Sequence, residues 1–395
     1  MSQRVLSVFG TRPEAIKMAP VVRALQRSAD IESRLCVTGQ HREMLDAVLD
    51  LFDLRPDHDL DLMRPGQDLF DVTGGVLLGL REVLRSEHPD LLLVHGDTTT
   101  CFAAALAAFY EGIPVGHVEA GLRTGDLKRP FPEELNRVLT GRMARDHFAP
   151  TRSAAENLLA EGTDPARVHV TGNTVIDALL GVRDRVSGRE AGSFAGAFSD
   201  GLIERLDAAP ERLVLVTGHR RESFGEGFER LCDALAGVAR AHPDWLLVYP
   251  VHLNPNVRRP VQEHLGALPN VALVEPAEYE PFVWLMDRAD LIVTDSGGVQ
   301  EEAPALGVPV LVTREVTERP EAVEAGTVAL VGTSVERITE GIEEVLGGGA
   351  MAERMTRAIN PYGDGRASER IVAVLEGKPW EEFAAPATAP SEAAA

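Results

Sequence analysis

Short runs of aliphatic and β-branched residues, each broken by a polar turn and followed by a helical pattern, recur along most of the chain. That alternation fixes the fold class before any other feature. Strands separated by helices pair in parallel, and a parallel sheet is covered on both faces. Residues 291–302, LIVTDSGGVQEE, show the unit most fully. Leu291-Ile292-Val293 reads as a buried strand, Asp295-Ser296-Gly297-Gly298 as a sharp turn, and 299–306 as a helix that Pro304 should kink. The glycines let the backbone approach a ligand, Ser296 suits an N-cap, and the N–H groups beyond it suit an anion. Glu301 and Glu302, about one helical turn on, suit a ribose diol. A well-capped strand–turn–helix without a ligand fits this stretch equally well.

Strands are expected over 4–9, 34–38, 91–95, 115–119, 213–217, 246–249, 271–274, 291–294, 308–312 and 328–330. Helices are expected from the GTRPEAIK turn to about 27 and over 42–52, 69–85, 99–110, 351–358 and 368–375. At 395 residues the chain exceeds one ordinary core, and the strand–helix pattern restarts near 172–175. Two doubly wound domains are therefore expected, over 1–172 and 173–365. The Gly/Ala/Ser-rich piece 188–201 reads as a surface connection and 379–395 as a disordered tail. A net charge of −22 argues against nonspecific binding of nucleic acid or anionic membrane. Cys36, Cys101 and Cys232 have no metal spacing and fit a reducing compartment. The first apolar run, 5–9, is a strand and not a signal peptide, so a cytoplasmic protein is expected.

Open α/β sheets bind ligands at strand ends, and five such ends carry chemistry. After the first strand, Arg12 and Lys17 suit a phosphate, or are solvated charges on a turn. His95-Gly96-Asp97-Thr98 puts a carboxylate where it either caps a helix or reacts. Glu119 ends an apolar strand, where a charge needs a partner such as Arg123 or a proton-transfer role. Glu133 and Arg137 are four apart, which serves a helix salt bridge as well as a site. His219-Arg220-Arg221, after the first strand of the second half, favours an anion. Asp59-Leu-Asp61 has the form of a metal-binding Asp-x-Asp but lies in a polar, strand-like stretch.

FGTRPEAIKMAP, VHGDTTT, GHVEAGLRTGD, PFPEELNR, VTGHRRESFG, LIVTDSGGVQEEAPALGVPVL and TERPEAV together resemble the non-hydrolysing UDP-N-acetylglucosamine 2-epimerases. The resemblance spans nearly all of 3–375 and fails at 188–205 and in the tail. It implies two Rossmann-like domains of the glycosyltransferase-B kind, an active site in the interdomain cleft, and last helices (366–378) that cross back to the first domain. The implied reaction interconverts UDP-N-acetylglucosamine and UDP-N-acetylmannosamine. UDP leaves by anti elimination to give 2-acetamidoglucal, then re-adds. No metal or redox cofactor is implied, and a homodimer is.

By motif position the resemblance implies that Asp97, Glu119, Glu133 and His219 are catalytic. Arg12, Lys17, Arg137, Phe282, Ser296, Gly297, Gly298, Glu302 and Arg319 would hold the substrate, with Glu302 on the ribose and Ser296–Gly298 on the pyrophosphate. Gln40, His41, Gln67, Arg220 and His252 match a second, activating site. Departures from the family pattern are Arg129, Arg64, Glu43 and Ala277, the last at a usual uracil contact. A hydrolysing epimerase and a glycosyltransferase are the alternatives on the same fold.

Overall fold

The structure, a computed structural model, describes residues 2–39, 42–198, 201–218, 225–317 and 319–385, with only the backbone of Arg42 and Glu43. Contacts divide the chain into two compact units, Met1–Ala178 with Tyr362–Ala385, and Leu179–Pro361. The first division falls inside the helix Thr174–Val186, just beyond the expected boundary at 172.

The first unit is a seven-stranded sheet. Its strands are β1 (Gln3–Phe9), β2 (Ile31–Val37), β3 (His58–Asp59), β4 (Leu91–His95), β5 (Val115–Val118), β6 (Asp146–Ala149) and β7 (Val168–Val170). They run parallel in the order β3-β2-β1-β4-β5-β6-β7. The order reverses between β1 and β4, which makes their carboxyl ends the switch point where such sheets take ligands. β4 is buried at all five positions, as its unbroken Leu-Leu-Leu-Val run requires. The Ala-rich helix Thr99–Tyr110 packs between the helices Leu69–Glu87 and Glu133–Met143, and its small side chains permit close approach. Leu6, Val8, Leu80, Leu84, Leu92 and Val94 sit in one buried cluster, each contributing roughly 1.5–3 kcal/mol.

The second unit is a six-stranded sheet of β8 (Arg212–Thr217), β9 (Trp245–Pro250), β10 (Val271–Val274), β11 (Leu291–Thr294), β12 (Val310–Val312) and β13 (Val328–Leu330). Its order, β10-β9-β8-β11-β12-β13, is again parallel and reverses between β8 and β11. The two units are thus built on one plan. In each, the loops with the richest sequence motifs flank the reversal.

Several expectations change. β6 and β7 are not expected from the sequence and β3 only as the polar, strand-like stretch at Asp59, because each has only two to four residues and β6 carries Asp146 and His147. The helix after β11 runs only from Gly297 to Glu302, and Ala303–Leu306 tightens into a 3₁₀ turn around Pro304, which has no N–H to donate. Residues 188–201 are no mere surface connection. Phe194 and Phe198 are buried, and Phe194 stacks on Trp284 with centroids 4.7 Å apart. The start of the expected disordered tail is also ordered. Phe383 is buried and its N–H donates to the Val170 carbonyl at 2.9 Å, because an apolar ring found an open edge beside β7. Residues 386–395 lie outside the described residues. The helix Ala367–Leu375 packs on the helix Arg12–Arg27 within the first unit.

Candidate active site

In the first unit, Thr11 caps the helix Arg12–Arg27 in a reciprocal box with Glu14. Oε2 of Glu14 accepts from the N–H groups of Gly10 and Thr11 at 3.0 and 2.8 Å and from the Thr11 hydroxyl at 2.8 Å. Oε1 of Glu14 accepts from the Thr98 hydroxyl at 2.6 Å. Thr98 in turn caps the helix Thr99–Tyr110, taking the Cys101 N–H at 3.0 Å. One buried carboxylate therefore joins the loop that carries Arg12 to the loop that carries Asp97. The guanidinium of Arg12 is half-buried and pairs with no described residue.

Lys17, expected on the nucleotide, instead pairs its ammonium with Oε2 of Glu119. Glu119 follows β5 in a left-handed conformation (φ 60°), which turns its side chain back toward the end of β4. There His95 Nε2 lies 3.7 Å from the same Oε2. Burial opposes ionisation of Glu119, but Lys17 and His95 outweigh it and hold the carboxyl well below the usual range. Asp97 behaves oppositely. Burial raises its pKa, and Arg137, whose Nη1 is 3.2 Å from Oδ2, only partly offsets this. Its backbone carbonyl accepts from Asn136 Nδ2 at 2.9 Å.

The helix salt bridge of Glu133 with Arg137, one of the two readings of their spacing, does not form. Arg137 Nε donates to Glu134 at 2.6 Å, and Glu134 also takes the N–H groups of Thr124 and Gly125, each at 3.0 Å. Of the two carboxylates that pair with Arg137, Glu134 lies on its own helix and Asp97 on a loop, and helix spacing alone did not choose between the two glutamates. Glu133 opens the helix half-exposed, with no hydrogen bond from a described residue. Arg123 pairs with Glu161 at 2.7 Å and not with Glu119. Gly121 has φ 92°, and a Cβ there would stand 2.1 Å from the Ala154 carbonyl oxygen, so only glycine fits.

In the second unit, the ends of β8 and β11 are tied by the Thr217 hydroxyl, which donates to Thr294 Oγ1 at 2.6 Å; that oxygen also takes the Ser296 N–H at 2.9 Å. Ser296 caps the following short helix without a side-chain bond. Gln300 donates to the Ser296 carbonyl at 3.0 Å and accepts from Thr317 at 2.6 Å. Arg319 pairs with the buried Glu301, whose carbonyl takes Asn360 Nδ2 at 2.8 Å. Glu302 accepts from the Tyr279 hydroxyl at 2.6 Å, and its other oxygen lies 3.7 Å from where a Gly298 Cβ would be. Gly298 thus leaves room beside that carboxylate. Phe282 is half-buried on the helix Tyr279–Met286. A cavity of about 630 Å³ lined by Glu190, Asp207, Leu213, Arg288 and Asp290 opens at the start of β8 and holds none of the expected site residues.

His219, Gln40, His41 and Arg220 lie outside the described residues. Of the remaining second-site residues, Gln67 spends both ends of its amide within its own loop, accepting from Arg64 N–H and donating to Leu62 O, each at 2.8 Å. His252 is exposed and takes the Asn254 N–H on Nδ1 at 3.1 Å. Among the described residues, no group of three or more His, Cys, Asp or Glu side chains could hold a metal ion. Glu14, Glu134, His95 and Tyr279 were missed as site residues. The Thr-x-x-Glu capping pattern could have disclosed Glu14; nothing local discloses the others.

Residues 23–376 match the family model described as UDP-N-acetylglucosamine 2-epimerase. The UDP-N-acetylglucosamine 2-epimerase of Escherichia coli K12 is 57% identical over 379 residues, covering 94% of this chain and 98% of that one. The crystal structure of the Neisseria meningitidis UDP-GlcNAc 2-epimerase bound to UDP-GlcNAc superposes with a TM-score of 0.84 at 48% identity, covering 95% of this chain and all of that one (100%). A glycotransferase of kitacinnamycin shares the fold alone, at 16% identity, a TM-score of 0.60, and coverage of 94% and 99%.

Proposed function

Because the chain belongs to the UDP-N-acetylglucosamine 2-epimerase family, we propose that it interconverts UDP-N-acetylglucosamine and UDP-N-acetylmannosamine without net hydrolysis. The observation that carries this reading is the placement of two acids at neighbouring strand ends with different partners, Asp97 with Arg137 at 3.2 Å and Glu119 with the Lys17 ammonium and His95; desolvation raises the pKa of the first, and Lys17 and His95 lower that of the second. Groups pushed apart in this way serve as acid and base. The C2 hydrogen of the sugar is weakly acidic. Departure of UDP makes C1 cationic, so C2–H is lost more easily, its electrons forming the C1=C2 bond of 2-acetamidoglucal. Glu119 accepts that proton, and Asp97 delivers one to the opposite face as UDP re-adds. In the reverse direction the two exchange roles. Arg137 supports Asp97, and Glu133 opens the same helix as Arg137.

The diphosphate needs cations and N–H donors as it leaves. Arg12, His219, Arg319 and the Ser296-Gly297-Gly298 turn are assigned to it, Glu302 to the ribose and Phe282 to the uracil. Lys17 serves Glu119 rather than phosphate. Gln40, His41, Gln67, Arg220 and His252 are retained as a second site for UDP-N-acetylglucosamine. Among the described residues no helix is long and apolar enough to cross a membrane. A homodimer is proposed from exposed Leu78, Phe109 and Tyr110, on helices that pack on each other.

The test is proton NMR of the purified protein with UDP-N-acetylglucosamine in D₂O. UDP-N-acetylmannosamine carrying deuterium at C2 is expected. Release of free N-acetylmannosamine with UDP would instead identify a hydrolysing enzyme, and turnover that leaves C2 protonated would end the elimination reading.

A further inference from the structure

His95 closes β4 and is almost wholly buried. Both of its ring nitrogens are buried, and neither has a hydrogen-bond partner among the described residues. Buried polar atoms are nearly always paired, so two orphans on one ring call for a cause. Packing does not supply it, since an apolar side chain would fill the space without the desolvation cost. The nearest charge is Glu119. Its Oε2 is 3.7 Å from His95 Nε2 and already takes the Lys17 ammonium. No described residue donates to its Oε1, which lies by Gly96.

Resting on the epimerase reading above, we propose that His95 is a positioning residue that, with Lys17, holds Oε2 of Glu119 from behind, so that Oε1 is the oxygen that meets the C2 proton. The 3.7 Å gap exceeds a hydrogen bond by less than 1 Å, and a small ring rotation or one bridging water closes it. In the step itself the C2–H bond breaks, an O–H bond forms on Oε1, and the C2–H electrons become the C1=C2 bond as the C1–O pair departs with UDP. His95 gains and loses nothing; it fixes which oxygen reacts. The charged and titratable groups that interact with it are Asp97 on its own loop and Glu119 and His117 from β5 and its turn, with Lys17 beyond Glu119 and Arg137 beyond Asp97. Burial pushes the His117 imidazole down to about 3, so it stays neutral while the others act.

The experiment compares the full-length protein with His95→Ala, His95→Gln and His95→Met, reading C2 deuterium exchange, kcat and KM across pH. His95→Ala is expected to lower kcat about ten- to hundredfold, the rate equivalent of one lost hydrogen bond to a charged group. KM should hardly move, and the acid limb of kcat should shift to higher pH as Glu119 loses a favourable neighbour. His95→Gln offers an N–H near the same place without titrating, and should recover most of the rate. If the alanine variant does not fold, glutamine against methionine makes the same comparison. Equal losses in the glutamine and methionine or alanine variants, an effect on KM alone, or an unmoved acid limb overturns the role of His95. Failure of the unmutated enzyme to exchange C2 overturns the epimerase reading and this role together.

Discussion

The Thr98 hydroxyl donates to Oε1 of Glu14 over 2.6 Å, across 84 positions of the chain. The other oxygen of Glu14 takes three donors from Gly10 and Thr11, so a single carboxylate holds two strand-end loops in register. Glu14→Gln replaces one acceptor oxygen by a donor and leaves buried hydrogens unpaired. It is expected to cost about 2–4 kcal/mol of stability and to lower kcat more than it raises KM. Urea unfolding and steady-state kinetics check both; an unchanged unfolding midpoint refutes the tie.

Asp97 is only partly buried, but the desolvation of its carboxylate beside β4 outweighs Arg137 and raises its pKa above that of an ordinary aspartate. If it supplies the returning proton, the rate falls as pH rises through that raised value, giving an alkaline limb. Asp97→Asn should abolish the limb along with most turnover, and should leak 2-acetamidoglucal and UDP. Glu119→Gln should instead block elimination from UDP-N-acetylglucosamine, because the acceptor of the C2 proton is gone, and should leak 2-acetamidoglucal and UDP only from UDP-N-acetylmannosamine, where Glu119 returns the proton. NMR of each variant across pH tests this; a limb that survives in Asp97→Asn belongs to another group.

How much of this was legible in the sequence depended on how local the cause was. β4 and β11 announce themselves because burial on both faces demands continuous aliphatic residues. β6 does not, because Asp146 can sit in a strand only once Arg145 and Arg167 are folded against it. The acids Asp97 and Glu119 were legible as strand-end carboxylates. Their partners were not, because Lys17 and Glu119 are 102 positions apart and meet only through the sheet order. Glu133 and Glu134 are adjacent and equally acidic, and only the approach of the Thr124-Gly125 backbone selects Glu134.

Tyr279 and Glu302 make a test of the ribose assignment. Tyr279→Phe removes the 2.6 Å bond that orients the Glu302 carboxylate. A contact made equally in ground and transition states affects binding more than chemistry. KM for the UDP-sugar is expected to rise about three- to tenfold with kcat nearly constant. A fall in kcat at unchanged KM would move Glu302 off the ribose.

Gly121→Ala is expected to cost about 3 kcal/mol or more, from a strained φ and a steric clash together. The glycine has φ 92°, and the added carbon meets the Ala154 carbonyl oxygen at 2.1 Å. The same turn gives its carbonyl to Asn157 Nδ2 at 3.0 Å, so displacement loses a hydrogen bond as well. Thermal unfolding measures it, and a melting temperature equal to that of the unmutated protein contradicts the clash.

Asp177 caps the helix Ala367–Leu375 by accepting from the N–H groups of Ala367 and Ser368 at 3.1 and 2.7 Å. Burial nonetheless lifts its pKa from 3.8 to about 6. Between those values the folded chain holds a proton that the unfolded chain releases, so this group's contribution to stability falls as pH rises through the window and is level above it. The change is on the order of 2–3 kcal/mol. Asp177→Asn keeps an acceptor and should flatten that slope. Unfolding free energies of both proteins from pH 4 to 7 decide it.

That cap also has a consequence in time. The first unit is interrupted by residues 179–361, which is 361 − 179 + 1 = 183 residues, before its last helix and Phe383 are made. At about 5–20 residues per second, a ribosome spends roughly ten to forty seconds on that stretch. Throughout, the groove on the helix Arg12–Arg27 that receives the helix Ala367–Leu375 is bare, and Asp177 has no helix to cap. The later-encoded unit is therefore complete on the nascent chain before the earlier one, and a stalled or truncated message leaves the opening half of the gene with an unfinished apolar surface.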